Sequence, residues 1–157
     1  MTSAVFDCMI FVQTILNRRG PAAACLKLCE ESHVRLFLSP NILAEIRDVL
    51  GRPTFRGRFR QITDERVAEL LDRVGGWATH VEKVPIITSL ARDPKDEPYL
   101  NLALFTNASF LVTRDRDLLS LMQDSSFVQN YPGLNISEPR EFLRHIRTEI
   151  AKGLGYE

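Results

Sequence analysis

Between Asp93 and Asp117 the chain places four aspartates around one helical segment and one short apolar run. Asp93 and Asp96 precede a periodic stretch holding Leu100, Leu102, Ala103 and Leu104. Asp115 and Asp117 follow Phe110-Leu111-Val112, a run that reads as a strand buried on both faces. The helix therefore begins, and the strand ends, at carboxylates. In an open α/β sheet the carboxyl ends of the strands form the rim where ligands bind. Acids on such a rim point to a divalent cation held by oxygen ligands, with phosphate as the substrate group.

Composition sets the frame for that site. A length of 157 residues suits a single domain, residues 1–157, with a real core. The 20 basic and 20 acidic side chains cancel, so any nucleic-acid surface must be a local patch. Cys8, Cys25 and Cys29 form no C-x-x-C pair, and an odd count fits a reducing compartment. Cys25 and Cys29 lack further ligands nearby and read as small packing residues. No apolar stretch approaches the ~20 residues of a membrane span. No basic segment precedes the first apolar run, so no signal peptide is expected. The expected location is the cytoplasm.

The first strand is Ala4-Val5-Phe6, and it runs straight into Asp7. A carboxylate there is either a helix N-cap or a functional acid, and Asp7 alone does not separate the two. Asn17 to Pro21 is a turn, Ala22 to Glu31 a helix, and Val34 to Leu38 the second strand. Ser39-Pro40 opens a helix with an apolar stripe of Ile42, Leu43, Ile46, Val49 and Leu50. At about 100° per residue Glu45 falls on the flank of that stripe, where it lines a cleft or simply faces water. Gly51 to Gln61 then carries Arg52, Arg56, Arg58 and Arg60 with no acid, interleaved with Phe55 and Phe59. This reads as a connecting loop. Its arginines suit phosphate and its aromatics suit unpaired bases, or the phenylalanines pin the loop to the core.

Thr63 opens the next helix, which Gly75-Gly76 is expected to end. A short extended segment follows near Trp77 to Val81, and Pro85 to Leu90 is irregular. Beyond the Phe110 strand come an apolar turn at Leu118 to Met122, a loop from Asp124 to Gly133, and a brief strand at Leu134-Asn135-Ile136. Ser137 is expected to cap a last helix striped by Phe142, Leu143, Ile146 and Ile150. Strands alternating with helices imply an α/β protein with a parallel sheet covered on both faces. His33, His80 and His145 stand alone, and no glycine-rich phosphate loop is present. Asp7, Glu45, Asp96 and Asp115, brought together, would resist full ionisation without a cation.

Four segments carry a resemblance to a known family: VFD at Val5 to Asp7, SPNILAEIRDVL at Ser39 to Leu50, RDPKDEPYLNLAL at Arg92 to Leu104, and LVTRDRDLL at Leu111 to Leu119. In order and spacing they resemble the PIN domains, and within them the toxin-like branch related to VapC-type endoribonucleases. The resemblance implies a three-layer α/β/α fold around a parallel sheet of about five strands. It implies that Asp7, Glu45, Asp96 and Asp115 are the acidic quartet, with Asp7, Asp96 and Asp115 holding Mg²⁺ or Mn²⁺. Asp117, Thr113, Arg114 and Asp93 are then auxiliary, Asp93 shaping the turn. Two positions depart from the common pattern. Cys8 and Met9 stand where many members have Thr-Asn, and neither offers an amide's hydrogen bonds. Arg114 replaces a frequent Gly, and its guanidinium is placed to pair with Asp115 or Asp117 or to clamp a phosphate.

The expected function is a metal-dependent endoribonuclease acting on RNA, with Arg52, Arg56, Arg58 and Arg60 contacting the strand. By the same resemblance it is the toxin of a toxin–antitoxin pair, inhibited by an antitoxin and able to dimerise. The alternative is a PIN module that binds RNA or a protein partner with weak or no turnover. A phosphoacceptor receiver domain lacks its lysine after a late strand, since Lys152 falls in the terminal helix. A structure-specific DNA nuclease would need insertions for which the chain leaves little room.

Overall fold

A computed structural model describes residues 1–89 and 93–154. Leu90, expected in an irregular stretch, and Arg92, which opens one of the segments above, lie outside the described residues. The elements run β1 (Ser3–Phe6), α1 (Cys8–Leu16), α2 (Pro21–Glu30), β2 (Arg35–Leu38), α3 (Pro40–Gly51), α4 (Pro53–Arg58), α5 (Asp64–Trp77) and β3 (Thr79–His80). Then follow α6 (Glu97–Phe105), β4 (Phe110–Val112), α7 (Arg116–Leu119), α8 (Ser125–Asn130), β5 (Asn135–Ser137) and α9 (Pro139–Gly153).

The five strands form one parallel sheet in the order β3-β2-β1-β4-β5, the centre of a three-layer α/β/α fold. From β1 the chain winds outward through β2 and β3, then returns to lay β4 on the other side of β1. The winding direction therefore reverses between β1 and β4. Where it reverses, the loops leaving adjacent strands part and open a crevice at their carboxyl ends. The expected acids Asp7 and Asp115 leave the sheet at this point.

The register keeps the rim level. Ala4 pairs with Phe110, Val5 with Leu111 and Phe6 with Val112. Paired residues point to the same side, so Phe6 and Phe110 share a face. Phe142 of α9 meets both edge-on, at ring-centre distances of 5.6 and 5.1 Å. Edge-to-face packing sets the negative ring face against a positive edge and adds to burial. Asn107, at φ 53°, turns the chain from α6 back into β4, and Asn tolerates this left-handed conformation.

The strands and long helices lie where the periodicity set them, and four local expectations need correction. Gly51 to Gln61 is not all loop. Pro53 supplies a helix-compatible φ and starts α4 with only Arg52 between it and the end of α3. Gly75-Gly76 does not end α5. Both sit in its last turn, which closes at Trp77. The Asp124 to Gly133 segment contains α8, with Asp124 accepting from the Phe127 amide at 3.1 Å as its cap and Phe127 buried beneath. Ser137 does not cap α9. It is the last residue of β5, and Glu138 takes the cap position without a side-chain bond.

Ser39 does cap α3, accepting from the Ile42 amide at 3.4 Å. Ser39→Ala is expected to cost about 1 kcal/mol and lower the melting temperature by about 2–4 °C, read by thermal denaturation.

Candidate active site

The crevice outside β1 and β4 is held by a chain of hydrogen bonds. Asp7 follows β1 directly, and its backbone amide extends the ladder by donating to Val112 at 3.1 Å. Its side chain caps α1, accepting from the Met9 amide at 2.8 Å through Oδ1. The other oxygen, Oδ2, accepts from the Thr113 hydroxyl. Thr113 is fully buried, and its Oγ1 in turn accepts from the Asp115 amide at 2.9 Å. Asp115 then caps α7, accepting from Asp117 and Leu118 through Oδ1 at 2.8 and 3.2 Å. One hydroxyl thus fixes the acid after β1 against the turn that carries the acid after β4. The two alternatives left open for Asp7 are not exclusive: it is an N-cap and it faces the crevice.

Asp96 comes from the other side, at the end of a 3-10 turn spanning Pro94–Asp96 that leads into α6. Asp93 starts this turn by accepting from the Lys95 amide at 3.0 Å, the turn-shaping part expected of it. Asp96 is half-exposed as a residue, yet its Oδ2 is buried with no hydrogen-bond partner among the described residues. Burial pushes Asp7 up to about 6, Asp115 adding to it while the bonds from Thr113 and Met9 oppose it. Burial also lifts Asp96 to about 7, followed by repulsion from Asp115, Asp93, Asp7 and Asp117. These five acids therefore share one field. A carboxylate oxygen buried without a donor among the described residues, with other acids close by, suits a hard cation with oxygen ligands. Among the described residues no three His, Cys, Asp or Glu side chains stand close enough to hold a metal between them.

Glu45 faces the same cleft from α3 but is not among the groups that raise Asp96. Its Oε2 accepts from the Tyr99 hydroxyl at 2.5 Å, and its Oε1 takes the Cys8 thiol at 3.8 Å. Burial, then Glu45 and Asp7, push Cys8 up to about 12, so it stays a neutral thiol. Burial likewise raises Tyr99, which stays a donor. Sequence reasoning missed Tyr99 and saw in Cys8 only a departure. Tyr99 is embedded among the apolar residues of α6 and carries no signal of its own.

The cleft is about 440 Å³, with Asp7, Glu45, Asp96 and Asp115 in its wall together with Asp93 and Arg114. Asp117 is exposed outside it. Arg114 is exposed and makes no ion pair with Asp115 or Asp117. The arginines of the α3–α4 region are largely committed within the fold. Arg52 reaches the cleft wall but pairs with Asp48 at 2.9 Å. Arg56 pairs with Asp64 and donates to the Leu50 carbonyl at 2.9 Å. Arg58 lies over the Phe59 ring at 5.2 Å, and Arg60 is exposed. Arg56, Arg58 and Arg60 are not in the cleft wall. Phe55 is.

Residues 3–117 match the family model of the PIN domain. The chain belongs to the PIN-domain family. The match takes in the strands on both sides of the reversal and all five acids of the cleft wall. Among curated proteins none matches this PIN-domain chain in sequence. Among solved structures it is similar to VapBC2 from Rickettsia felis bound to a DNA fragment from their promoter. The likeness has 14% identity and a TM-score of 0.52, and covers 87% of this chain and 98% of that one. It is a likeness of fold.

Proposed function

We propose that this PIN domain is a divalent-metal-dependent endoribonuclease and the toxin of a toxin–antitoxin pair. The observation that carries the reading is the Oδ2 of Asp96, buried without a hydrogen-bond partner among the described residues, in the cleft that Asp7 and Asp115 also line where the sheet reverses its winding. Asp7, Asp96 and Asp115 would hold the ion. Mg²⁺ or Mn²⁺ there cancels the repulsion among the acids and activates a water toward a phosphodiester.

The chain's own groups do the positioning. Thr113 keeps Asp7 and Asp115 in register. Tyr99 fixes Oε2 of Glu45, leaving Oε1, with only a weak thiol donor, to accept a proton from an incoming water. Arg114 on the rim is free to meet the phosphate, and Phe55 in the wall can stack against a base. RNA as substrate, a small antitoxin over the cleft and a homodimer belong to the same reading. Its support for a partner is the likeness to VapBC2, which is a complex. No described helix is long and apolar enough to cross a membrane, and the proposed place of action is the cytoplasm.

Calorimetry of Mn²⁺ into wild type and Asp96→Asn tests the reading. Saturable binding is expected in wild type. In the variant it should weaken by more than the ~10–100-fold that loss of a supporting partner alone costs, with RNA cleavage lost as well. A wild type that takes up no Mn²⁺, even with a non-cleavable RNA strand present, would sink the nuclease reading. A PIN module that binds RNA or a partner without turnover would replace it.

A further inference from the structure

The acidic cleft is not the largest opening among the described residues. A groove of about 840 Å³ runs between α2 and α9. Its charged lining is Arg19, Arg140, Arg144, Arg147 and Lys152, and no acidic side chain lines it. In a chain whose charges cancel overall, five unbalanced cations on one groove are a local feature with a local cost. All five are exposed, and none makes an ion pair among the described residues. Arg52 and Arg56, by contrast, are already paired. Arg140, Arg144 and Arg147 recur at helical spacing along one stripe of α9. Arg140 to Lys152 spans about 18 Å at the helical rise, a length of several nucleotides.

The two walls of the groove are tied together at the start of α9. Cys25 of α2 bonds the Pro139 carbonyl at 3.6 Å, at the start of α9 and next to Arg140. Burial raises the Cys25 thiol, while the charges of Arg147 and Arg114 pull against that rise. Arg114 is the one that also lines the acidic cleft.

We infer that the α2–α9 groove carries the sugar-phosphate backbone of single-stranded RNA beyond the scissile bond. The inference rests on the nuclease reading for its substrate. Guanidinium forks match phosphate oxygens two at a time. The lining holds no aromatic residue, the usual anchor of a protein partner. The groove grips the strand without reading its bases. It takes over the part that Arg52, Arg56, Arg58 and Arg60 were expected to play.

The test is fluorescence anisotropy of a labelled single-stranded oligoribonucleotide in EDTA, which stops metal-dependent cleavage, with wild type and the double variant Arg144→Ala/Arg147→Ala. Both positions are exposed on a helix and Ala is the best helix former, so the variant folds. Affinity is expected to fall on the order of tenfold, and the slope of log K against log salt to flatten by about 1.4, the share of two phosphate contacts. Mn²⁺ uptake by the variant stays at the wild-type level. Equal affinity and slope in the two proteins, or no binding by either, overturns the inference, whatever the Mn²⁺ calorimetry shows. Loss of poly-glutamate binding with oligonucleotide binding intact assigns the groove to an acidic protein segment and overturns it too. A wild type that binds no Mn²⁺ but holds RNA through these arginines sinks the nuclease reading and keeps the groove.

Discussion

Asp7→Asn is expected to lower RNA cleavage by on the order of a thousandfold or more while raising the melting temperature of the metal-free protein at pH 8. The first effect follows from removing a carboxylate proposed to hold the ion, worth several kcal/mol in the transition state. The second follows from its surroundings. Burial lifts Asp7 from 3.8 to about 6, so between those values the folded state binds more protons than the unfolded one. Stability from this group is fully present below pH ~4 and is lost as pH rises through about 6. A shift of about two units corresponds to ~3 kcal/mol, all of it lost by pH 8. Asn carries no charge and can still accept from the Met9 amide. Its amide nitrogen meets Thr113 less well than a carboxylate oxygen does, at a cost of about 1 kcal/mol. The balance is ~2 kcal/mol, a rise of about 4–8 °C at this chain length. At pH 5 only about half of that ~3 kcal/mol has been lost, so the advantage should shrink to well under ~1 kcal/mol. Melts in EDTA at both pH values decide it. A variant that melts below wild type at pH 8 would show that Asp7 is not held at an electrostatic cost.

What could be read from the residues divides along physical lines. Apolar runs such as Phe110 to Val112 mark strands because a parallel strand buried on both faces tolerates nothing else. Ser39-Pro40 and Thr63 mark helix starts because a side-chain oxygen must meet free amides there. The acids after β1 and β4 were visible as exceptions, carboxylates at the ends of apolar runs. Glycine misled at the end of α5. Gly75 and Gly76 weaken a helix without ending it, and a Cβ added at either would meet open space. Gly57 sits inside α4 for the same reason. The arginines between Arg52 and Arg60 stood out through density in sequence, but Asp48 and Asp64 take two of them at short range. The α2–α9 groove was hidden for the opposite reason. Its cations come from Arg19 and from α9, more than a hundred residues on, and only packing unites them. Tyr99 and Cys8 reach Glu45 across 54 and 37 residues, and nothing local announces either bond.

Thr113→Val is expected to destabilise the protein by about 3 kcal/mol at pH 8 and to push Asp7 higher still. The replacement fits a fully buried site in shape but removes two functions of one oxygen. It deletes the donor to Asp7 Oδ2 and the acceptor of the Asp115 amide. A buried group left without its partner costs ~1–3 kcal/mol, and more when charged. Among the influences on Asp7, the Thr113 bond is the largest that opposes burial, so its loss lets the acid rise above about 6. Destabilisation should therefore be smaller at pH 5, where Asp7 is mostly protonated, than at pH 8. With the turn after β4 no longer tied to Asp7, Mn²⁺ affinity should fall by ~10–100-fold although no proposed ligand has changed. Thr113→Ser separates the hydroxyl from the methyl. It should lose packing stability yet restore both the Asp7 titration and the metal affinity. Urea denaturation at two pH values, carboxyl NMR titration of Asp7 and calorimetry read the three effects. An Asp7 titration unmoved in Thr113→Val would mean that the hydroxyl is a packing group, and that the two acids are held in register by the backbone alone.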